Sequence, residues 1–147
     1  MREIIFRGKR TDNGEWVQGY LVKGRKAYIV TFYASAYMVV SPSCHASVDF
    51  VVVDLETVEQ YTGVNDINNV QMFEGDIVDV LIGTAVRFPE PVRYKAVVDF
   101  KEGAFGLKYF RGVVEEFTPF ASYYKPNVTF TVIGNIHDNK ELLEVER

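Results

Sequence analysis

Four carboxylates between residues 66 and 79 form the densest acidic group of the chain: Asp66, Glu74, Asp76 and Asp79. Carboxylate oxygens are the ligands that Mg²⁺ and Ca²⁺ prefer, so this group could serve a metal-dependent hydrolase. The same residue types also build tight turns, because a carboxylate accepts hydrogen bonds from nearby backbone N–H groups. We favour a turn at Glu74-Gly75-Asp76 that leads into a strand, and the hydrolase stays as an alternative.

The only cysteine, Cys44, is followed by His45, and the second histidine is His137. A thiol beside an imidazole could act as a nucleophile or bind a transition metal. Adjacent residues of a strand point to opposite faces, however, and two histidines with one cysteine fall short of a structural zinc set. We therefore expect a buried thiol, surface or capping imidazoles, and no metal or cofactor.

The chain lacks the sequence patterns of several common catalytic and cofactor sites. It has no nucleophile-elbow serine, no phosphate-binding glycine loop and no dinucleotide fingerprint. These absences argue against an enzyme, and we expect no catalytic residues.

The last third of the chain is rich in aromatic residues with cations nearby. Eight of them could form a binding surface: Lys108, Tyr109, Phe110, Arg111, Phe117, Phe120, Tyr123 and Tyr124. Rings beside cations stack the bases of single-stranded nucleic acid, and small barrels also use such rings to bind peptides. Aromatic residues that alternate along strands equally fill a β core. We favour the core, and the sequence leaves an interface or a binding surface open.

Composition bounds the class of protein and its compartment. The chain has 147 residues, 48% of them hydrophobic, and a net charge of −4. It can bury a core, and its acidic balance argues against a dedicated nucleic-acid-binding protein without excluding a local basic patch. A single cysteine, a start without the apolar core of a signal peptide, and short apolar runs predict a cytoplasmic protein with no membrane contact.

Short strands with frequent turn signals predict a mainly β fold, in a small barrel or roll. Asp12-Asn13-Gly14 predicts a tight hairpin, because Asn and Gly tolerate positive φ. The predicted strands lie at 4–7, 15–22, 27–32, 48–53, 58–61, 77–82, 93–100, 105–110 and 128–134. The strand at 48–53 is apolar on both faces, which predicts that it is buried.

The segments between these strands are predicted as loops, turns or one short helix. We expect a loop at 62–69, an exposed hairpin tip at 83–91 and irregular structure at 118–127. Residues 37–40 could form a short strand, and residues 113–117 either a strand or one helical turn. A short C-terminal helix is predicted at 140–143, with Asp138 or Asn139 as N-cap.

Several segments of the chain resemble the YopX family, small proteins of bacteriophages and prophages. The strongest are Arg2-Glu3-Ile4-Ile5-Phe6-Arg7-Gly8-Lys9-Arg10, Asp12-Asn13-Gly14-Glu15-Trp16-Val17-Gln18-Gly19-Tyr20-Leu21, Leu55-Glu56-Thr57-Val58-Glu59-Gln60-Tyr61-Thr62-Gly63 and Phe73-Glu74-Gly75-Asp76-Ile77-Val78. Others are Val98-Asp99-Phe100 with Gly103-Ala104-Phe105, Val132-Ile133-Gly134-Asn135-Ile136-His137-Asp138-Asn139 and Glu141-Leu142-Leu143. They come in the family's order. Two departures are Leu55, where the family usually has Pro, and residues 67–72, where it commonly has a Gly-containing hairpin.

The resemblance implies a fold and an origin but no reaction. It implies an SH3-like β roll at 58–147 with an N-terminal β meander at 1–57, which could form one continuous compact unit. The turn motif at the junction contains Tyr61, Gly63, Glu74, Gly75 and Asp76. The family also implies a phage or prophage origin, and it has no established catalytic residues to carry over.

We expect a non-enzymatic phage or prophage accessory protein that binds a host or phage macromolecule or serves as an oligomeric structural module. A homo-oligomer is expected because the loop aromatics leave apolar surface to cover. One alternative is a single-stranded nucleic-acid-binding protein that uses the aromatic and basic last third. The other is the metal-dependent hydrolase with Asp66, Glu74, Asp76 and Asp79.

Overall fold

The structure is a computed structural model and describes residues 1–33, 47–84, 89–123 and 127–144. The protein is mainly β, as predicted, and its paired strands run antiparallel. The chain divides into two compact units, Met1–Gln60 and Tyr61–Arg147. No helix of the described residues is long and apolar enough to cross a membrane.

The first unit is a β meander that continues into the start of a fifth strand. Its elements are β1 (Phe6–Lys9), β2 (Trp16–Lys23), β3 (Ala27–Tyr33), β4 (Ser47–Val53) and the first residues of β5 (Glu59–Asn65). β2 lies between β1 and β3, and β4 pairs with the other side of β3. Gly14 has a φ of 72°, so the predicted tight turn between β1 and β2 is confirmed.

The ends of β1 and β4 meet, so the meander curls around its own core. Arg10 forms an antiparallel bridge with Val53, and the Asp54 N–H donates to the Lys9 carbonyl at 2.8 Å. Gly8 lies against Val53 so closely that a Cβ at position 8 would be 3.1 Å from the Val53 Cβ. The core consists of Ala27, Ile29 and Val53, with Phe6, Val17, Leu21 and Val58 packed against them.

The second unit contains the end of β5 and a five-stranded sheet. Its further strands are β6 (Gln71–Phe73), β7 (Asp76–Ile82), β8 (Val92–Lys101), β9 (Ala104–Arg111), β10 (Val114–Pro119) and β11 (Val128–Asn135). The sheet order is β10-β9-β8-β7-β11. Its end strands do not pair with each other in the described ranges, so the sheet is open and a closed SH3-like barrel is not confirmed. The core of this unit contains Met72, Val78, Val80, Ala96, Val98 and Leu107.

Eight of the nine predicted strands agree with the structure within two residues at each end, and the exception is the strand predicted at 58–61. Between them, the loop predicted at 62–69 is wrong in part, because β5 continues to Asn65 and the turn begins only at Asp66. The strand β6 was not predicted, since three residues are too few for a periodicity. Residues 114–119 form a strand that Pro119 ends, and a 3₁₀ turn follows at Phe120–Tyr123.

Two further predictions need correction. The C-terminal helix is only a 3₁₀ turn, Lys140–Leu143, and Asn139 makes no side-chain cap because its Oδ1 accepts from the Asn135 N–H instead. The strand β4 is not buried on both faces: Phe50 is 63% exposed, whereas Val53 is 3% exposed. Only one face of the meander packs against its core. The strand predicted at 37–40 and part of the predicted tip at 83–91 lie outside the described residues.

Candidate functional site

Asp66, the first of the four carboxylates, is used to build a turn. Its Oδ1 accepts from the N–H groups of Asn68 and Val70 at 2.8 and 2.9 Å. Its Oδ2 accepts from the N–H of Val132, in β11, at 2.9 Å. Burial alone would raise the pKa of Asp66, but these three hydrogen bonds outweigh it and lower the pKa below the usual aspartate value.

The other carboxylates of this group also have partners. Asp76 is buried, and its Oδ2 accepts from the Phe73 N–H at 2.8 Å across the Glu74-Gly75 turn, where Gly75 has a φ of 76°. Asp79 pairs with Arg93 on the neighbouring strand, with 2.7 Å between Oδ2 and Nε. No three of the Asp, Glu, His or Cys side chains in the described ranges are grouped to hold a metal ion. The geometry therefore gives the hydrolase alternative no support.

The residues of the predicted junction motif lie on β5, in the turn between β6 and β7, and at the start of β7. Tyr61 pairs with Phe73 across the two strands, and their rings lie 5.6 Å apart. The Tyr61 hydroxyl donates to the Asn65 side chain at 2.6 Å, and Gly63 has a φ of 83°, which a side chain would resist. Hydrogen bonds within this segment fix its conformation, so these residues have a local structural role.

The predicted aromatic and basic surface is split between two sides of the second sheet. Tyr109, Phe120 and Tyr123 pack against the core around Leu107. Lys108 and Phe110 alternate with Leu107 and Tyr109 along β9, so they point to the opposite face, where Phe117 lies across from Lys108. Tyr124 lies outside the described residues. The eight residues are therefore not one continuous surface.

The tyrosines on the core side form a hydrogen-bonded cluster. The hydroxyls of Tyr94 and Tyr123 are 2.9 Å apart, and the Tyr109 hydroxyl donates to Glu116 at 3.0 Å. The rings of Tyr94 and Tyr109 lie 5.0 Å apart. Burial, together with the hydrogen bond to Tyr123, raises the pKa of Tyr94 far above the usual tyrosine value. Burial also raises the pKa of Tyr123, so the hydroxyls of Tyr94 and Tyr123 are neutral structural groups.

Cations of the last third are held by carboxylates on the same sheet. Lys108 lies 3.5 Å from Asp99, and Arg111 lies 3.9 Å from Glu116. Such pairing reduces the positive potential that phosphate groups would meet.

Of the predicted thiol and imidazole groups, Cys44 and His45 lie outside the described residues, and the backbone N–H of His137 donates to the Asn135 side chain at 2.9 Å.

An exposed apolar face lies on the first unit, opposite its core. Tyr20, Val30 and Phe50 are cross-strand partners on β2, β3 and β4, and Tyr20 and Phe50 are 52% and 63% exposed. Val22 and Val48 extend the same face, 47% and 37% exposed. We call these four exposed residues, Tyr20, Val22, Val48 and Phe50, the apolar face. The shallow depression that they line contains no charged side chain among the described residues.

The sequence does not single out this face as a functional surface, although its signal is present. Apolar residues at both odd and even positions of a strand predict burial on both sides. At an edge strand the same pattern also fits one core-facing side and one uncovered side. An uncovered apolar side on a small protein is typical of an interaction surface.

Comparison with known proteins identifies relatives by family and by fold. The family model described as YopX protein matches residues 5–144. Three chains of solved structures match, among them the crystal structure of protein EF1440 from Enterococcus faecalis. That match has 21% sequence identity and a TM-score of 0.55, and covers 98% of this chain and 100% of that chain. At this identity the likeness concerns the fold alone. No curated protein matches the chain.

Proposed function

This chain belongs to the YopX family, and we propose that it is a phage or prophage accessory protein that acts by binding rather than by catalysis. Its place of action is the cytoplasm of the bacterial host. The observation that carries this proposal is the apolar face, four exposed apolar side chains on one side of a sheet whose other side packs the core.

The chemistry of the carboxylates and tyrosines supports binding over catalysis. Asp66 and Asp76 each accept hydrogen bonds from the backbone, and Asp79 forms an ion pair. The Tyr94 hydroxyl is bonded to Tyr123 and keeps its proton. A general base needs a pKa near the working pH and access to a substrate, and these groups hold the fold instead.

The occupant that we propose for the apolar face is a second copy of this chain. A two-fold contact brings the same patch of both copies together, so the patch must be complementary to itself. Apolar side chains are complementary to themselves, and the depression carries no charge that would repel an acidic copy. β4 also lies at the edge of the sheet, where a second copy can approach.

The size of the face limits the affinity of the contact. A stable interface buries about 800 Å² on each partner. Four partly exposed side chains supply less than that, so the dimer is reversible and the copies exchange with other partners. A host or phage macromolecule with an apolar patch is the competing occupant of the same face.

For the second unit we propose an SH3-like roll. Five short antiparallel strands around one apolar core support this assignment, together with the membership in the family. The two cores are separate, so each unit can serve a different contact.

Light scattering over a concentration series tests the proposal. We expect the mean mass to rise from that of the 16.8 kDa monomer toward twice that value as the concentration increases. A constant monomer mass up to millimolar concentration would show that the face does not bind a second copy.

A further inference from the structure

A second surface of the first unit is a groove rimmed by cations. It lies where the end of β1, the turn between β2 and β3, and the end of β4 converge, and its volume is about 680 Å³. Five of its lining residues are basic and one is acidic: Lys9, Arg10, Lys23, Arg25, Lys26 and Asp54. The whole chain carries a net charge of −4, so this groove concentrates positive charge on an acidic protein.

The groove is built by the curl of the meander. The Arg10–Val53 bridge and the hydrogen bond from Asp54 N–H to the Lys9 carbonyl hold two of its walls together. The Gly24 N–H donates to the Lys26 carbonyl at 3.0 Å, which closes the tight turn that carries three of the cations. Paired strands and a closed turn thus fix the backbone from which the basic side chains project.

The cations of the turn are available to a ligand. Lys23, Arg25 and Lys26 are exposed and form no ion pair with any described residue. Arg10 pairs with Asp12 at 2.7 Å, and Asp54 accepts from the Glu56 N–H at 3.1 Å. The single carboxylate of the groove is therefore occupied in its own turn, whereas no carboxylate of the described residues neutralises the turn cations.

We propose that this groove binds the phosphodiester backbone of single-stranded nucleic acid. Lys and Arg side chains on two separate elements can neutralise several phosphates of one strand at the same time. The groove would hold roughly twenty water molecules at about 30 Å³ each, which is far more than one phosphate needs. Leu55, 49% exposed, and Val52 add apolar surface for sugars and bases.

The only tryptophan of the chain reports on this site. The Lys9 ammonium lies 5.5 Å from the centre of the Trp16 ring, and Lys9 lines the groove. A phosphate that draws Lys9 toward it changes the electrostatic surroundings of the indole. Binding in the groove is therefore expected to change the fluorescence of Trp16, whereas binding on the second unit is not.

The experiment measures binding of a fluorescent oligothymidylate to the full chain by anisotropy at several salt concentrations. The test variant is Lys23→Glu/Arg25→Glu/Lys26→Glu, and these exposed turn positions can change without loss of core packing. The control is Lys95→Glu/Lys101→Glu/Lys108→Glu, which reverses the same number of charges beside the aromatic last third. Circular dichroism checks that both variants are folded.

We expect the groove variant to bind at least 10-fold more weakly at low salt, and the control to bind like the wild type. The slope of log K against log salt is expected to fall in magnitude by about 2, because each single-strand phosphate contact contributes about 0.7. The wild type should also show the Trp16 fluorescence change.

Three results would overturn the proposal. The first is no binding of the oligothymidylate at low salt. The second is a loss of binding in the control that equals or exceeds the loss in the groove variant, which would assign the effect to net charge or to the aromatic last third. The third is equally tight binding of polyglutamate of the same charge, which would assign the groove to an acidic peptide. None of these results bears on self-association through the apolar face.

Discussion

Asp66 accepts a hydrogen bond from the backbone N–H of Val132, which lies 66 residues further along the chain, at 2.9 Å. The same carboxylate also accepts from Asn68 and Val70, so it ties a turn after β5 to the strand β11. Next to it the Ile67 N–H donates to the Phe130 carbonyl at 2.9 Å. A residue that looked like a metal ligand is thus a structural clamp within the second unit.

Asp66→Asn is expected to lower the free energy of unfolding by about 3 kcal/mol. The amide has the same shape as the carboxylate, but its NH₂ group would face at least one backbone N–H, so a donor would meet a donor. A buried donor without an acceptor costs about 1–3 kcal/mol, in addition to the loss of the charged hydrogen bonds. Urea unfolding of both proteins measures the difference. Asp12→Asn, at an exposed position, is the control and should leave the stability nearly unchanged, because water screens the charge of Asp12.

The contribution of Asp66 to stability depends on pH in a defined direction. Its hydrogen bonds lower the pKa of Asp66 in the folded protein below the unfolded value near 3.8. The stabilisation is therefore present above the unfolded pKa and is lost as the pH falls through the folded pKa. The difference in unfolding free energy between the wild type and Asp66→Asn should be constant above about pH 5 and shrink below pH 4. A difference that stays constant down to pH 2 would contradict the assignment.

Two arginine–carboxylate pairs of similar geometry test how burial changes the contribution of an ion pair to the free energy of unfolding. Arg7 Nε lies 2.6 Å from Glu59, and these side chains are 16% and 5% exposed. Arg93 Nε lies 2.7 Å from Asp79, but the arginine side chain is 71% exposed. Arg7→Ala should destabilise the protein by about 3 kcal/mol, because it removes a cation that is paired with a buried carboxylate. Arg93→Ala should destabilise the protein much less, because water screens this exposed ion pair. Urea unfolding measures both variants. Equal decreases in the free energy of unfolding would show that burial does not determine how much each ion pair stabilises the protein.

The hydroxyl pair of Tyr94 and Tyr123 is expected to behave as one interaction. A double-mutant cycle with Tyr94→Phe and Tyr123→Phe should give a coupling energy of about 1 kcal/mol, the usual net contribution of a hydrogen bond. The same cycle between Tyr94→Phe and Tyr20→Phe serves as control, because these residues belong to different units and should be additive. Additive losses at Tyr94 and Tyr123 would mean that the hydroxyls do not interact.

The local elements could be predicted from the sequence because their signals are local. Asn13-Gly14 marks a tight turn, and the alternation from Arg93 to Phe100 marks a strand. Closure of the second sheet could not be predicted, since it depends on whether two distant strands meet. The resemblance to the family implies a roll, whereas the end strands β10 and β11 do not pair with each other in the described ranges.

The candidate sites were harder to predict, because the type of a residue does not reveal which group its side chain contacts in the fold. Asp66 has the same side chain whether it binds a cation or three N–H groups, and only the fold brings Val132 to it. The apolar face and the basic groove gather residues from β1 to the end of β4, and the groove extends from Lys9 to Leu55. Their pattern becomes visible only once the register of the meander is known.

Sedimentation velocity of two matched variants tests the central proposal most directly. Phe50 is 63% exposed on the apolar face, and Phe110 is 66% exposed on the second unit, so either can be replaced by serine without opening a core. We predict that the wild type and Phe110→Ser form dimers as concentration rises, and that Phe50→Ser dissociates at least 10-fold more readily. Dimers of Phe50→Ser as stable as those of the wild type would contradict the proposal that the apolar face binds a second copy.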